Sequence, residues 1–151
     1  MDIQILQGSH STSAGLPRKV FEDLRRASRA AGSALKLRAS TSIRPFIESI
    51  RHTDPGTSGF VVLDPGDLAR DDPQALRDAL ESLAVPYAEV HDSSDTLLDL
   101  PVRSSAMPIA TIVINGDLSM SYRIAVGIGL RRIARWPSES AHSQDDFHNG
   151  T

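Results

Sequence analysis

Apolar and polar positions follow two rhythms along this chain, and the changes of rhythm mark its elements. Asp2 to Leu6 (DIQIL) is a short apolar-rich run stopped by Gly8, which predicts a first strand entering the small polar loop GSHSTSAG. From Leu16 to Ala31, Val20, Phe21, Leu24 and Ala27 recur at helical spacing, with Pro17 in the first turn and Gly32 as the stop. Arg18, Lys19, Arg25, Arg26 and Arg29 fill the remaining faces, which reads as a solvated surface. Ala34 to Ala39 (ALKLRA) alternates with a period of two, as a strand does. Ser40, Thr41 and Ser42 form a capping cluster before a short helix, Ile43 to Arg51, whose inward positions are Phe46, Ile47 and Ile50. HTDPGTSG is a turn by composition.

The pattern is clearest between Gly59 and His91. An apolar strand (Phe60 to Leu63) leads into a polar loop. A helix follows, with Asp72 as N-cap, Pro73 at its first position and a stripe of Ala75, Leu76, Ala79, Leu80 and Leu83. A second short strand ends on His91. Strand, helix and strand within about 33 residues is the size of a βαβ unit, which requires two parallel strands. Asp92 to Arg103 is acidic and aperiodic. IATIVI (109–114) is a continuous β-branched run, the signature of a strand buried on both faces. NGDLS then turns the chain into a last helix, about Met120 to Trp136, and the segment after Pro137 has the composition of a disordered tail. The order β-α-β-α-β-α-β-β-α predicts a three-layer α/β/α sandwich, flavodoxin-like, with a parallel sheet. It would occupy residues 1–136 as one domain, with 137–151 as a polar tail.

Composition adds exclusions. At 151 residues the chain can bury a full core, and its 40% hydrophobic and 23% charged content is ordinary for a globular protein. A net charge of −3 and a pI near 5.9 supply no electrostatic reason to expect nucleic acid or an anionic membrane as partner. No cysteine is present, so disulfides and thiolate metal sites are excluded, which suits a cytoplasmic protein. The longest apolar run falls far short of the roughly 20 residues of a membrane helix. The N-terminal MDIQILQGSH lacks a signal peptide's basic and apolar regions.

In parallel α/β sheets ligands bind beyond the carboxyl ends of the strands, which places candidate chemistry at the loop opening on Asp64 and at His91. An imidazole there can give or take a proton near neutral pH, and Glu89 lies two residues away on the same strand face. The loop holding His10 follows the first strand and reaches the same rim. His10, Asp64 and His91 are therefore expected to form one acid–base set, with capping of the DPGD turn as the alternative role for Asp64. Arg70 and Arg103 are candidates to clamp a carboxylate or phosphate. Asp92, Asp95 and Asp99 match no metal-ligand spacing. Gly127 and Gly129 (VGIGL) lie within a helix, so they read as close-packing positions rather than a nucleotide fingerprint. There is no P-loop, GxSxG or HExxH.

The stretch DPGDLARDDPQALRDAL, followed by VPYAEVH and RSSAMPIATIVING, resembles the type II 3-dehydroquinate dehydratases, over roughly Ile3 to Ile133. The resemblance implies a flavodoxin-like shikimate-pathway enzyme that assembles as a trimer or a dodecamer of trimers and needs neither metal nor organic cofactor. It implies that His91 is the general acid, with Glu89 as its partner, and that Arg103 grips a substrate carboxylate. Ser93 and Ser94 fall on the family's substrate-binding serine loop. The departures are equally informative. The family's substrate-binding asparagine of the N-P/A-G motif falls on Asp64 and the asparagine of its first loop on His10, and its substrate-binding histidine in the loop after the former is replaced by Arg70 or Asp71. The lid carrying the tyrosine base is missing between Ser11 and Pro17. The two tyrosines, Tyr87 and Tyr122, fall in a strand and in the last helix, where neither is expected to replace it. The expectation is a cofactor-free hydro-lyase, cyclase or isomerase acting next to a carbonyl. Its small-molecule substrate would differ from 3-dehydroquinate, in a biosynthetic pathway outside shikimate metabolism, with Asp64 or His10 as the substitute base. The alternative is an inactive paralogue kept as a binding or structural module.

Overall fold

A computed structural model describes residues 1–11, 15–94 and 107–148, the stretch 136–148 by its backbone alone. The elements are β1 (Asp2–Gln7), α1 (Arg18–Ala30), β2 (Leu35–Ala39), α2 (Ile43–Arg51), β3 (Ser58–Asp64), α3 (Pro73–Glu81), β4 (Tyr87–His91), β5 (Ala110–Val113) and α4 (Leu118–His148). All five strands run parallel, in the order β2-β1-β3-β4-β5. That is the flavodoxin-like order, with its reversal point between β1 and β3. The β3–α3–β4 segment is the parallel unit that its length requires.

Local chemistry sets the helix ends. Asp72 caps α3 by accepting from the Ala75 amide at 3.1 Å, with Pro73 in the first turn where no donor is needed. Gly32, at φ 85, closes α1: its amide bonds the Arg29 carbonyl at 3.0 Å and the Ser33 amide bonds Ser28 at 2.9 Å, the paired bonds of a Schellman cap. Ser42 holds the N-cap position of α2, but its side chain makes no capping bond. Asp117 caps α4, accepting from the Met120 amide at 3.0 Å.

Strand alternation divides the core into two halves. Ile3, Ile5, Phe60, Val62, Ala88 and Val90 pack with Leu24 of α1 and Tyr122, Ala125 and Val126 of α4. Leu6, Val61, Leu63 and Tyr87 pack on the other face, with Phe46 and Ile50 of α2 and Leu76 and Leu80 of α3. Gln7 and Asp64, paired in register at the strand ends, belong to the α1/α4 face. Glu89 and His91 belong to the α2/α3 face.

Four details differ from the sequence reading. The polar loop after β3 coils into a 3-10 turn, Gly66–Arg70, because Leu68 has an apolar slot to fill. The apolar run in β5 is not buried on both faces: β5 is a sheet edge, and Ile109 and Val113 are 44% and 37% exposed. Gly129 lies against the sheet, where an added Cβ would stand 2.6 Å from the Phe60 ring, but Gly127 faces open space. Finally, α4 continues through Pro137 to His148. Proline removes one donor and leaves the Ile133 carbonyl without its helical partner, yet no glycine follows until Gly150. The basic residues of α1 are solvated as expected, with Glu22 and Asp23 at 3.8 and 3.7 Å from Arg25 and Arg26.

Candidate active site

Two loops meet at the reversal point of the sheet and are stitched together by backbone. The Gly8 amide donates to the Asp64 carbonyl, and the Asp67 amide donates to the Ser9 carbonyl at 2.8 Å. The Asp67 carboxylate accepts from the Ser11 amide at 2.6 Å. Two glycines make this approach possible. A Cβ on Gly8 would stand 2.1 Å from the Pro65 carbonyl oxygen, and one on Gly66, already at φ 55, would stand 2.3 Å from that of Ser9. The result is a fixed distance between a residue in the loop after β1 and the residue that ends β3.

Those residues are His10 and Asp64. The His10 Nε2 lies 2.9 and 2.8 Å from the two Asp64 carboxylate oxygens. The Tyr122 hydroxyl, brought in by the second turn of α4, donates to Asp64 Oδ2 at 2.6 Å. Asp64 and Tyr122 are fully buried, and the His10 side chain is 5% exposed. On its other edge, His10 Nδ1 faces the Asp92 carboxylate at 3.9 Å. The hydrogen bond to Asp64 raises the proton affinity of His10 above the ordinary imidazole value; the charges of Asp64, Asp92 and Asp67 add to this and burial opposes it. Burial, reinforced by the Asp64 charge and hydrogen bond, holds the Tyr122 hydroxyl well above the usual phenol range, so it is the donor in its bond.

A second pair stands on the neighbouring strand. His91 Nε2 lies 3.1 Å from Glu89 Oε1, both side chains are buried, and Thr111 of β5 donates to Glu89 Oε2 at 3.4 Å. The Ser121 hydroxyl, next to Tyr122 in α4, donates to the His91 carbonyl at 3.2 Å and ties the end of β4 to that helix.

The single acid–base set expected from the sequence is therefore resolved into two pairs. Both lie at the carboxyl rim, His10–Asp64 on the α1/α4 face, with Asp92 3.9 Å from His10, and Glu89–His91 on the α2/α3 face. A one-residue difference in strand phase is the cause: Asp64 shares the phase of Phe60 and Val62, and His91 that of Tyr87. Asp64 has its carboxylate on His10 and Tyr122 rather than on its own turn. Arg70 closes the 3-10 turn, exposed at this rim; Ser93 is half-buried and Ser94 exposed. Arg103, Asp95 and Asp99 lie outside the described residues. Tyr122 is the group that sequence reasoning missed. The signal was available: a helix following a parallel strand starts at the carboxyl rim, so its first turns, Ser121 and Tyr122 included, face the site. Among the described residues no group of three or more His, Cys, Asp or Glu is placed to hold a metal ion, and no helix is long and apolar enough to cross a membrane.

This fold is that of a dehydroquinase-like α/β protein. The family described as dehydroquinase class II matches residues 12–129, and the chain belongs to that family. Solved structures agree on the fold. The type II dehydroquinase from Propionibacterium acnes superposes with a TM-score of 0.64 at 21% identity, covering 86% of this chain and 98% of its own. That from Butyrivibrio crossotus gives 0.62 at 18% identity, with 85% and 97% covered. A 3-dehydroquinate dehydratase-like protein from Bifidobacterium longum gives 0.61 at 17% identity, with 87% and 97% covered. No curated protein matches the sequence at a significant level.

Proposed function

We propose that the protein is a dehydroquinase-type hydro-lyase that acts on a substrate other than 3-dehydroquinate. The observation that carries this reading is the His10–Asp64 contact at 2.8 and 2.9 Å. Where the resemblance places two neutral asparagines, this chain has a buried imidazole and a buried carboxylate in direct contact. Such an exchange retains proton chemistry and alters what the rim can grip.

The division of labour follows from the contacts. The Asp64 oxygens are engaged by His10 and Tyr122, so Asp64 orients and His10 moves the proton, as in other carboxylate–imidazole couples. His10 takes the place of the missing lid tyrosine and removes a proton from the carbon beside a carbonyl. His91, held by Glu89, gives a proton to the departing hydroxyl; the C–O bond breaks, a C=C bond forms and water leaves. Arg70, Ser93, Ser94 and Arg103 supply the substrate-holding groups. Self-association as a trimer or dodecamer belongs to the same proposal, supported by the apolar side chains that β5 leaves exposed.

A base must begin neutral, so activity should rise with pH through the raised pKa of His10, with its acid limb above about 6.5. The deciding assay offers 3-dehydroquinate and a panel of neutral and carboxylated β-hydroxy ketones to the wild type and to His91→Ala and His10→Gln. We expect little turnover of 3-dehydroquinate, and turnover of a panel member that falls by about 100-fold or more in either variant. Turnover of 3-dehydroquinate at the rate of an ordinary class II enzyme would overturn the substrate assignment. Undiminished panel activity in His10→Gln would remove the base role.

A further inference from the structure

We infer that Tyr122 is a positioning residue of this site: it sets how firmly the His10–Asp64 pair holds its proton. The inference rests on the reading that His10 and Asp64 form the proton-handling pair.

Three observations carry it. The Tyr122 hydroxyl reaches Asp64 Oδ2 at 2.6 Å, a distance typical of charge-assisted O–H···O⁻ bonds. Both groups are 0% exposed, so no water substitutes for the bond. Tyr122 also stands beside Ser121, whose hydroxyl holds the His91 carbonyl at 3.2 Å. Consecutive residues of one helix turn therefore brace both histidine-bearing sides of the rim. A packing tyrosine in the core of α4 needs only its ring; this one aims its hydroxyl at the carboxylate that holds the candidate base.

The direction of the effect follows from which state the hydroxyl stabilises. When His10 is charged, Asp64 has a cation against both oxygens. When His10 loses its charge, the Asp64 oxygens face only neutral donors, the imidazole N–H and the Tyr122 hydroxyl, and the hydroxyl carries a larger share of the compensation. Removing that hydroxyl therefore penalises the deprotonated pair more than the protonated one, and the pair should bind its proton more tightly. The other titratable groups facing His10 are Asp92, beyond β4, and Asp67, in the 3-10 turn; neither bonds to Tyr122. Tyr122 thus makes it easier for His10 to lose its proton.

The test needs no substrate. His10 is titrated by NMR of the imidazole carbons, assigned by the signal lost in His10→Gln, in the wild type and in Tyr122→Phe. We expect a wild-type midpoint above that of a free imidazole and a further rise of about half a pH unit or more in Tyr122→Phe. A wild-type midpoint at or below the ordinary value would overturn the reading of the pair itself. A raised wild-type midpoint left unmoved by Tyr122→Phe would overturn only the role of Tyr122. Should the variant not fold, the wild type still decides. With two tyrosines in the chain, assigned through Tyr87→Phe, the ring carbon that bears the Tyr122 hydroxyl should shift with the His10 midpoint. A flat Tyr122 signal across that titration would overturn the inference.

Discussion

His10 carries its ring between carboxylates, with Asp64 against one nitrogen and Asp92 3.9 Å from the other. Folding raises its proton affinity, chiefly through the Asp64 bond, and this has a consequence for stability with a definite sign. A histidine whose folded pKa exceeds its unfolded value adds stability that is complete below about pH 6.5 and is lost as pH climbs through the folded value. Urea unfolding of wild type and His10→Gln across that range should therefore show the wild-type advantage shrinking with rising pH. An advantage that grows with pH would mean that His10 is held neutral. The charge logic also explains why Asp64 was only half legible. Its place at the end of an apolar strand is visible in FVVLDPG, but its partners come from 54 and 58 residues away.

Among the elements, α4 does the most to place the site, and its glycines make opposite predictions. Gly129 packs where a Cβ would meet the Phe60 ring at 2.6 Å, so Gly129→Ala should cost about 1–3 kcal/mol by overpacking. Gly127 meets nothing within 4 Å, so Gly127→Ala should stabilise the helix by up to about 1 kcal/mol. Thermal unfolding of the two variants measures both. Equal effects would show that α4 does not lie on β3 in this way. From the sequence the VGIGL pair is equivalent, since helical spacing does not say which of two nearby glycines faces a neighbour.

For the whole molecule, the two sheet edges decide what remains unsatisfied. β2 is an edge rich in Lys36 and Arg38, and such charges blunt strand-to-strand pairing. β5, the other edge, exposes Val113, with Ile109 and Met107 exposed just ahead of it, and a subunit contact is predicted on this apolar strip. Val113→Lys combined with Ile109→Lys should lower the sedimenting mass towards the 16.3 kDa protomer while leaving the far-UV circular dichroism unchanged. An unaltered mass distribution would place the subunit contact elsewhere.

The sequence by itself determined the elements and their order, because period-two and helical spacing, Asp72 with Pro73, and Gly32 are local signals read within a few residues. It also determined the parallel β3–α3–β4 unit, since a connection of that length cannot form a hairpin, and the family likeness in DPGD, ALRDAL and EVH. Only the tertiary structure decided which face each polar side chain takes. The phase of a strand relative to its neighbours depends on the packing of two helical layers, and that phase separated His91 from the His10–Asp64 pair. It likewise decided that β5 is an edge and that, of the rim-facing residues at the start of α4, it is Tyr122 whose hydroxyl reaches Asp64. Both facts depend on the arrangement of strands and helices in space, which no run of neighbouring residues encodes.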